Sequence, residues 1–326
     1  MEQRDNTIDL LRVFGTFLVI LAHVKIPEFI SEVRTFDVVL LVFISGMSLR
    51  YANYKHYFAY MKKRVKKLLC PAWTTVSIVL LCLYIGDKVV GPFSILNWKY
   101  IVHSFLLIDA DSIGAVWIVK VYLLIALLTP IIVFLEKTID SSVALMGGGY
   151  FIIFVFSFLV RAVPTCIFVQ EYVIYAVQYS IVALFGLRFV KHKKSGIILG
   201  MISFVALVCC VISAGSFKPS LFKYPPQIYY LSYGLLCSII FYGIVSYLQK
   251  YIVVDKKLVF WLSTHSFTIY ICHVYYLWLF FALAKLGIRL NYLVEFIILI
   301  IASVGQTIVL EKMKERIKMH FVKFSR

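Results

Sequence analysis

Charge is scarce in this chain, and negative charge is scarcer still. Of 326 residues, 15% are charged, and 33 Lys and Arg stand against 16 Asp and Glu. With 62% hydrophobic residues and a mean hydropathy of +0.92, there is too little polar surface to cover a soluble globule of this size. That excludes a soluble domain and leaves a polytopic membrane protein. Long linkers, low-complexity stretches and a clear internal repeat are also missing, so residues 1–326 read as one integral membrane domain. The first apolar run has a mixed-charge leading segment and no small-residue cleavage site after it, which argues against a cleaved signal peptide. Seven cysteines are present (Cys70, Cys82, Cys166, Cys209, Cys210, Cys237 and Cys272). Most lie inside apolar runs and none forms a paired C-x-x-C set, so neither a disulfide framework nor a metal site is expected.

What the chain has in abundance is apolar runs of spanning length. They fall at 8–26, 37–52, 71–87, 115–135, 143–160, 172–190, 196–214, 227–247, 260–284 and 292–310. The expectation is an all-α bundle of about ten transmembrane helices. Residues 98–108 are too short to cross and are expected at the interface or as a re-entrant segment. The basic residues test this map. With the N-terminus cytoplasmic, Arg4, the group from Arg50 and Lys55 to Lys67, Lys137, Arg188 to Lys194, Lys250 to Lys257 and the tail from Lys312 to Arg326 fall inside. The opposite loops hold about half as many, the bias expected of cytoplasmic segments, and both termini are expected on that side. The basic excess therefore reads as topology and contact with anionic lipids, not as nucleic-acid binding. Only Arg12 and Lys120 remain at membrane depth.

The first run carries Asp9-Leu-Leu-Arg12 and, after ten further residues, His23. On a helix, eleven steps bring His23 within about 20° of Arg12 and roughly 16 Å along the axis. A cation and an imidazole on one stripe of a membrane helix are costly unless they face protein or a wet cavity, so the stripe is a candidate site. Asn6 is the expected N-cap, with Asp9 in the first turn as a dipole-favoured anion and i,i+3 counter-ion to Arg12. Arg12 alone serves equally as an interfacial anchor. The second run contains Phe43-Ile44-Ser45-Gly46, where a Ser-Gly pair permits close approach of a backbone or ligand. A loop dense in positive charge follows, from Lys62 and Lys63 through Arg64 to Lys67, ahead of Pro71. It is either a topology signal or a seat for a phosphate-rich ligand.

Taken together, Asp9-x-x-Arg12-x10-His23, Phe43-Ile44-Ser45-Gly46 and the basic-x-x-basic pair Arg64 and Lys67 before Pro71 resemble the integral membrane acyltransferase 3 family. Ala115-Val116-Trp117-Ile118-Val119 resembles its tryptophan-bearing span, and Ser266 to His273 its late Ser-x-x-x-Tyr-x-x-His segment. The likeness covers nearly the whole chain. It implies transfer of an acyl group, most often acetyl, from cytoplasmic acyl-CoA (acetyl-CoA above all) to a hydroxyl of a bacterial surface glycan or its lipid-linked precursor. No permanently bound cofactor is implied, and the setting is a bacterial inner membrane. The resemblance makes His23 the catalytic histidine with Arg12, beside Asp9, as its partner. It gives Arg64 and Lys67, with neighbouring Lys63, the acyl-CoA phosphates.

Imidazole suits the removal of a hydroxyl proton near neutral pH. Ser45 and Tyr270 are candidate oxyanion donors, and Trp117, Lys120 and His273 are further candidates for the substrate site. Transient acylation of His23 is the alternative to base catalysis. The chain departs from the family pattern at Lys67, where an arginine is usual, and at Lys120, where an acid often follows the tryptophan. Lys120 is expected either to pair with a helix-end carboxylate or to bind an anion. A transporter or flippase of a glycan or acyl donor is the competing function. It is disfavoured because no duplicated broken-helix halves are visible. A scaffold leaves Arg12 and His23 unexplained.

Overall fold

The computed structural model describes residues 5–51, 56–90, 96–162, 166–192, 194–251 and 255–324. Arg4, Lys55, Lys193 and Arg326 of the charge map lie outside them. The described elements are helical: α1 (Asn6–Leu21), α2 (Glu28–Arg34), α3 (Asp37–Ser48), α4 (Tyr57–Val90), α5 (Trp98–Phe105), α6 (Ile118–Thr138) and α7 (Ser142–Ala162). A π-helical turn, Val169–Ile174, then runs into α8 (Tyr175–Lys191). It is followed by α9 (Ser195–Ala214), α10 (Ile228–Leu248), α11 (Lys256–Lys285) and α12 (Tyr292–Phe324). Among the described residues, eight helices are long and apolar enough to cross a membrane: α4, α6, α7, α8 with its π turn, and α9 to α12.

The first two expected spans come out shorter. α1 has 16 residues and α3 has 12, continued by a 3-10 turn, Leu49–Tyr51. α1 stops at Leu21, and Pro27, which favours an extended Ile26 before it, opens α2. α3 is apolar for a different reason than a lipid-facing span. Val38, Val39, Leu40, Val42, Phe43, Ile44 and Met47 are all at most 1% exposed, enclosed by protein. It packs against α8, α1 and α10. α9 is the opposite case, with few buried residues and an apolar surface left for lipid.

Two further expectations are corrected. The N-cap of α1 is Asp5, whose carboxylate accepts the Thr7 N–H at 2.8 Å, and Asn6 is the first helical residue. The basic stretch expected as a loop is instead helix. α4 runs unbroken from Tyr57 through Lys62, Lys63, Arg64, Lys67 and Pro71. Arg64 and Lys67 therefore stand one turn apart on one face.

α3 and α8 meet backbone to backbone. A Cβ added at Gly46 lies 2.0 Å from the Ala183 carbonyl oxygen, and one at Gly186 lies 2.1 Å from that of Phe43. Small residues at such crossings are how membrane helices approach closely. Gly46→Ala and Gly186→Ala are each expected to cost at least about 3 kcal/mol, at the upper end of overpacking penalties because neither partner is a movable side chain. Gly147→Ala, which meets nothing within 4 Å, is expected to be neutral or stabilising by about 0.5–1 kcal/mol. Thermal unfolding of the three variants in detergent checks the contrast.

Candidate active site

Two cavities lie along α1, one toward each end. The first, about 320 Å³, is lined by Arg12 and Thr16 of α1, Ser45 and Ser48 of α3, Arg64 and Lys67 of α4, Ile118 and Tyr122 of α6, and Ser263, Ser266 and Tyr270 of α11. The second, about 960 Å³, is lined by His23 and Lys25, by Asp109, Ala115 and Trp117 in the segment before α6, by Tyr224, and by the far end of α11 with Trp278.

The basic cavity is organised by Arg12. Its guanidinium donates to Ser48 Oγ at 2.8 Å and to Ser263 Oγ at 3.2 Å, and lies 3.6 Å from Asp9 Oδ1. Ser263 in turn donates to Asp9 at 2.6 Å, so one carboxylate, one hydroxyl and one guanidinium form a closed set joining α1 and α11. Asp9 is 2% exposed, and such a buried anion persists only with these partners. Arg64 packs over the Tyr60 ring at 5.2 Å. Lys63 is exposed and does not line the cavity.

His23 sits just beyond the end of α1, its N–H donating to the Ile20 carbonyl at 3.1 Å. Its ring centre is 5.2 Å from that of His273, and His273 is 5.2 Å from Tyr270. Arg12 and His23 thus face different cavities, and the side-chain partners of Arg12 include Asp9, Ser48 and Ser263. Residues 115–118 contribute to both linings. Ala115 and Trp117 face one side, Ile118 the other, and the Tyr270 hydroxyl donates to the Ala115 carbonyl between them. The preceding segment is tied down, with the Ile113 N–H on Ser104 Oγ at 3.0 Å and the Gly114 N–H on Ser112 Oγ at 2.9 Å.

Lys120 lies outside both linings. It is 3% exposed, bonded to Glu171 of the π turn and 3.8 Å from Asp109, with its ammonium 4.5 Å from the Tyr175 ring centre. Of the two roles open to it in the sequence, the helix-end ion pair is the one present. Asp109 accepts from the Tyr175 hydroxyl through one oxygen, while its other, Oδ1, is buried without a hydrogen bond. Burial pushes this carboxyl up to about 6, against the pull of Lys120. Lys223, buried beside Trp117, pairs with Asp37 at 3.2 Å, and Arg34 holds the other oxygen of Asp37 at 2.6 Å. Burial pulls the Lys223 ammonium below its usual value even so. Among the described residues, no three of His, Cys, Asp or Glu gather as a metal site.

Residues 5–312 match the model of the acyltransferase domain of the acyltransferase 3 family. The chain belongs to that family. It is accordingly a multi-pass membrane acyltransferase, and an acyl donor and an acceptor are implied. Comparison with curated proteins and with solved structures finds no significant match.

Several lining residues of this acyltransferase escaped sequence reasoning. Ser48 was within reach, one turn beyond Ser45. Tyr122 and Ser263 come from distant segments and carry no local signal. Removing the central cation of the buried network tests its weight. Lys120→Met leaves Glu171 and Asp109 facing each other without a cation, and a loss of about 3–5 kcal/mol is expected. Adding Glu171→Gln is expected to restore part of it. The thermal unfolding midpoints of the single and double variants in detergent give the comparison.

Proposed function

We propose that this acyltransferase carries an acyl group, acetyl in the simplest case, from acyl-CoA at the basic cavity to a hydroxyl of a surface glycan or its lipid-linked precursor at the His23 cavity. The observation that carries the reading is a pair of cavities with linings that draw on the same short segment, residues 115–118, one cavity bearing Arg12, Arg64 and Lys67 and the other bearing His23. Arg64 and Lys67, with Lys63 at the rim, hold the phosphates of the donor by charge-assisted bonds. Lysine at position 67 supplies charge but not the planar bidentate grip of arginine. Arg12, fixed by Asp9, orients the pantetheine arm. Ser45 lies along its path.

In this reading α1 and α3 cross beside the eight longer helices, giving ten spans with both termini on the cytoplasmic side of a bacterial inner membrane. Anionic lipids meet the basic face of α4. The acceptor enters from the other side and meets His23, with Trp117 and Tyr224 walling its cavity and Asp109 offering a carboxylate oxygen to a sugar hydroxyl. His23 takes the acceptor proton as the oxygen attacks the thioester carbon. The C–O bond forms, the C–S bond breaks, and the proton passes on to the CoA thiolate. Tyr270 is the nearest hydroxyl donor for the developing oxyanion once it leaves the Ala115 carbonyl.

Mass spectrometry of surface glycan from cells expressing wild type or His23→Ala, at matched membrane levels, is the test. Acyl groups are expected with wild type and not with the variant. Undiminished acylation in the variant sinks the assignment of His23, and failure of unmodified glycan to reach the surface points to export instead. Arg64→Ala is expected to raise KM for acyl-CoA about tenfold or more, as loss of a charge-assisted phosphate contact does, with a smaller change in kcat.

A further inference from the structure

His273 is fully buried in the interior of α11. Its Nδ1 lies within hydrogen-bonding distance of the Tyr270 carbonyl oxygen one turn earlier. A carbonyl only accepts, so the proton of the neutral ring sits on Nδ1 and Nε2 is left as a bare acceptor. That Nε2 is buried and has no hydrogen-bond partner. A buried acceptor without a donor is a cost that native structures rarely keep without a use. The aromatic neighbours of the ring include Tyr270, whose hydroxyl is committed to Ala115, and His23.

The spacing to His23 suits a bond. With an N–H···N distance of about 2.9 Å, and each nitrogen about 1.1 Å from its ring centre, two imidazoles joined edge to edge have centres about 5.1 Å apart. The observed separation is 5.2 Å at an inclination of 41°. The bond itself is not closed in this structure, and His23, which lines the open cavity, closes it by turning its ring.

We propose that His273 is a positioning residue for His23. Its Nε2 accepts the N–H of His23 and so fixes which nitrogen of His23 presents a lone pair to the cavity. The proposal rests on the reading of His23 as the base. The resulting chain runs from the Tyr270 carbonyl through the two imidazoles to the acceptor hydroxyl. When the hydroxyl proton moves to the free nitrogen of His23, the imidazolium keeps its other N–H on His273, which remains neutral. The charged groups around His23 are largely paired among themselves, with Lys25 beside it on the cavity wall. Arg34 and Lys223 are both bonded to Asp37, and Asp109 lies across the cavity paired to Lys120. A carboxylate in the orienting position is thereby replaced by a neutral acceptor.

The first test needs no substrate. In nitrogen-15 spectra of histidine-labelled protein in nanodiscs, His273 is expected as the Nδ1–H tautomer, with an Nε2 signal that moves on His23→Ala. An Nε2–H tautomer, or an Nε2 signal indifferent to that substitution, overturns the proposal whatever the activity. The second test is kinetic, reading radiolabelled acetyl transfer from acetyl-CoA into glycan of membranes carrying each variant. His273→Leu is expected to lower the maximal rate about 100-fold with KM for acetyl-CoA within about threefold, at an undiminished unfolding temperature. His273→Gln, which restores an acceptor, is expected to recover a tenth or more of the rate. A His273→Leu enzyme with wild-type turnover, or a glutamine variant no better than leucine, overturns the proposal. Activity surviving His23→Ala instead overturns the base reading beneath it.

Discussion

Every buried charge in this molecule has to be matched, because an ion stripped of water in a low-dielectric interior costs several kcal/mol until a partner and hydrogen bonds repay it. At the His23 end the matching is done by segments far apart in the chain. Arg34 comes from α2, Asp37 from α3, Asp109 from the turn before α6, Lys120 from α6 itself, Glu171 from the π turn and Lys223 from the approach to α10. These six charges sum to zero. Their pairing draws the inter-helix segments inward, so that Trp117 and Tyr224 stand as fixed walls of a cavity rather than as solvated loop residues. At the other end Arg12 does the same work by sharing Asp9 and Ser263, which binds α1 to α11 beside the basic face of α4.

The pairing also explains how the chain tolerates its unusual lysine. Position 120 is deep within the bundle, and an unmatched ammonium there would lose its proton or break the packing. Glu171 and Asp109, reinforced by the faces of Tyr172 and Tyr175, make it a structural element instead. The consequence reaches the site, since the same pairing that stabilises Lys120 holds Asp109 at the cavity wall with one oxygen still open to a donor.

Much of the fold was legible from apolar runs, and the failures have a common cause. Hydropathy shows where a helix tolerates an apolar surrounding but does not distinguish lipid from protein. The run at 37–52 is apolar because α3 is enclosed by α1, α8 and α10, so its hydropathy reports surrounding protein and not lipid. Charge misleads in the opposite direction. Lys62 to Lys67 read as a loop because an apolar window excludes them, although α4 simply extends past the apolar zone. Of the site, the residues with a fixed spacing were visible: Asp9, Arg12, His23, and the pair Arg64 and Lys67. Those that complete it through space were not. An acid was demanded for Lys120 by physics, but no spacing pointed to Glu171. Nor does any spacing announce that Asp109 stands beside Lys120 and accepts from Tyr175.

The separation of Arg12 from His23 into two cavities bears on what the partition between them has to do. In the proposed reading an acyl group crosses that partition, while ions and water must not follow it. A barrier made of ion pairs would be expensive to open, since parting a buried pair exposes two charges to an apolar interior. Here the charges stand aside, in the Lys120 and Lys223 networks and in the Arg12 set. In that reading the partition includes Ile118, Trp117 and the Tyr270 hydroxyl on the Ala115 carbonyl, which stand at the two linings. A neutral hydrogen bond of this kind is worth about 0.5–1.5 kcal/mol net, well within what binding a substrate on either side can supply. The same hydroxyl, once released, is a donor next to His273 and thus near the base. A partition that is cheap to part, and that turns into part of the catalytic wall when it does so, lets substrate binding on either side open it.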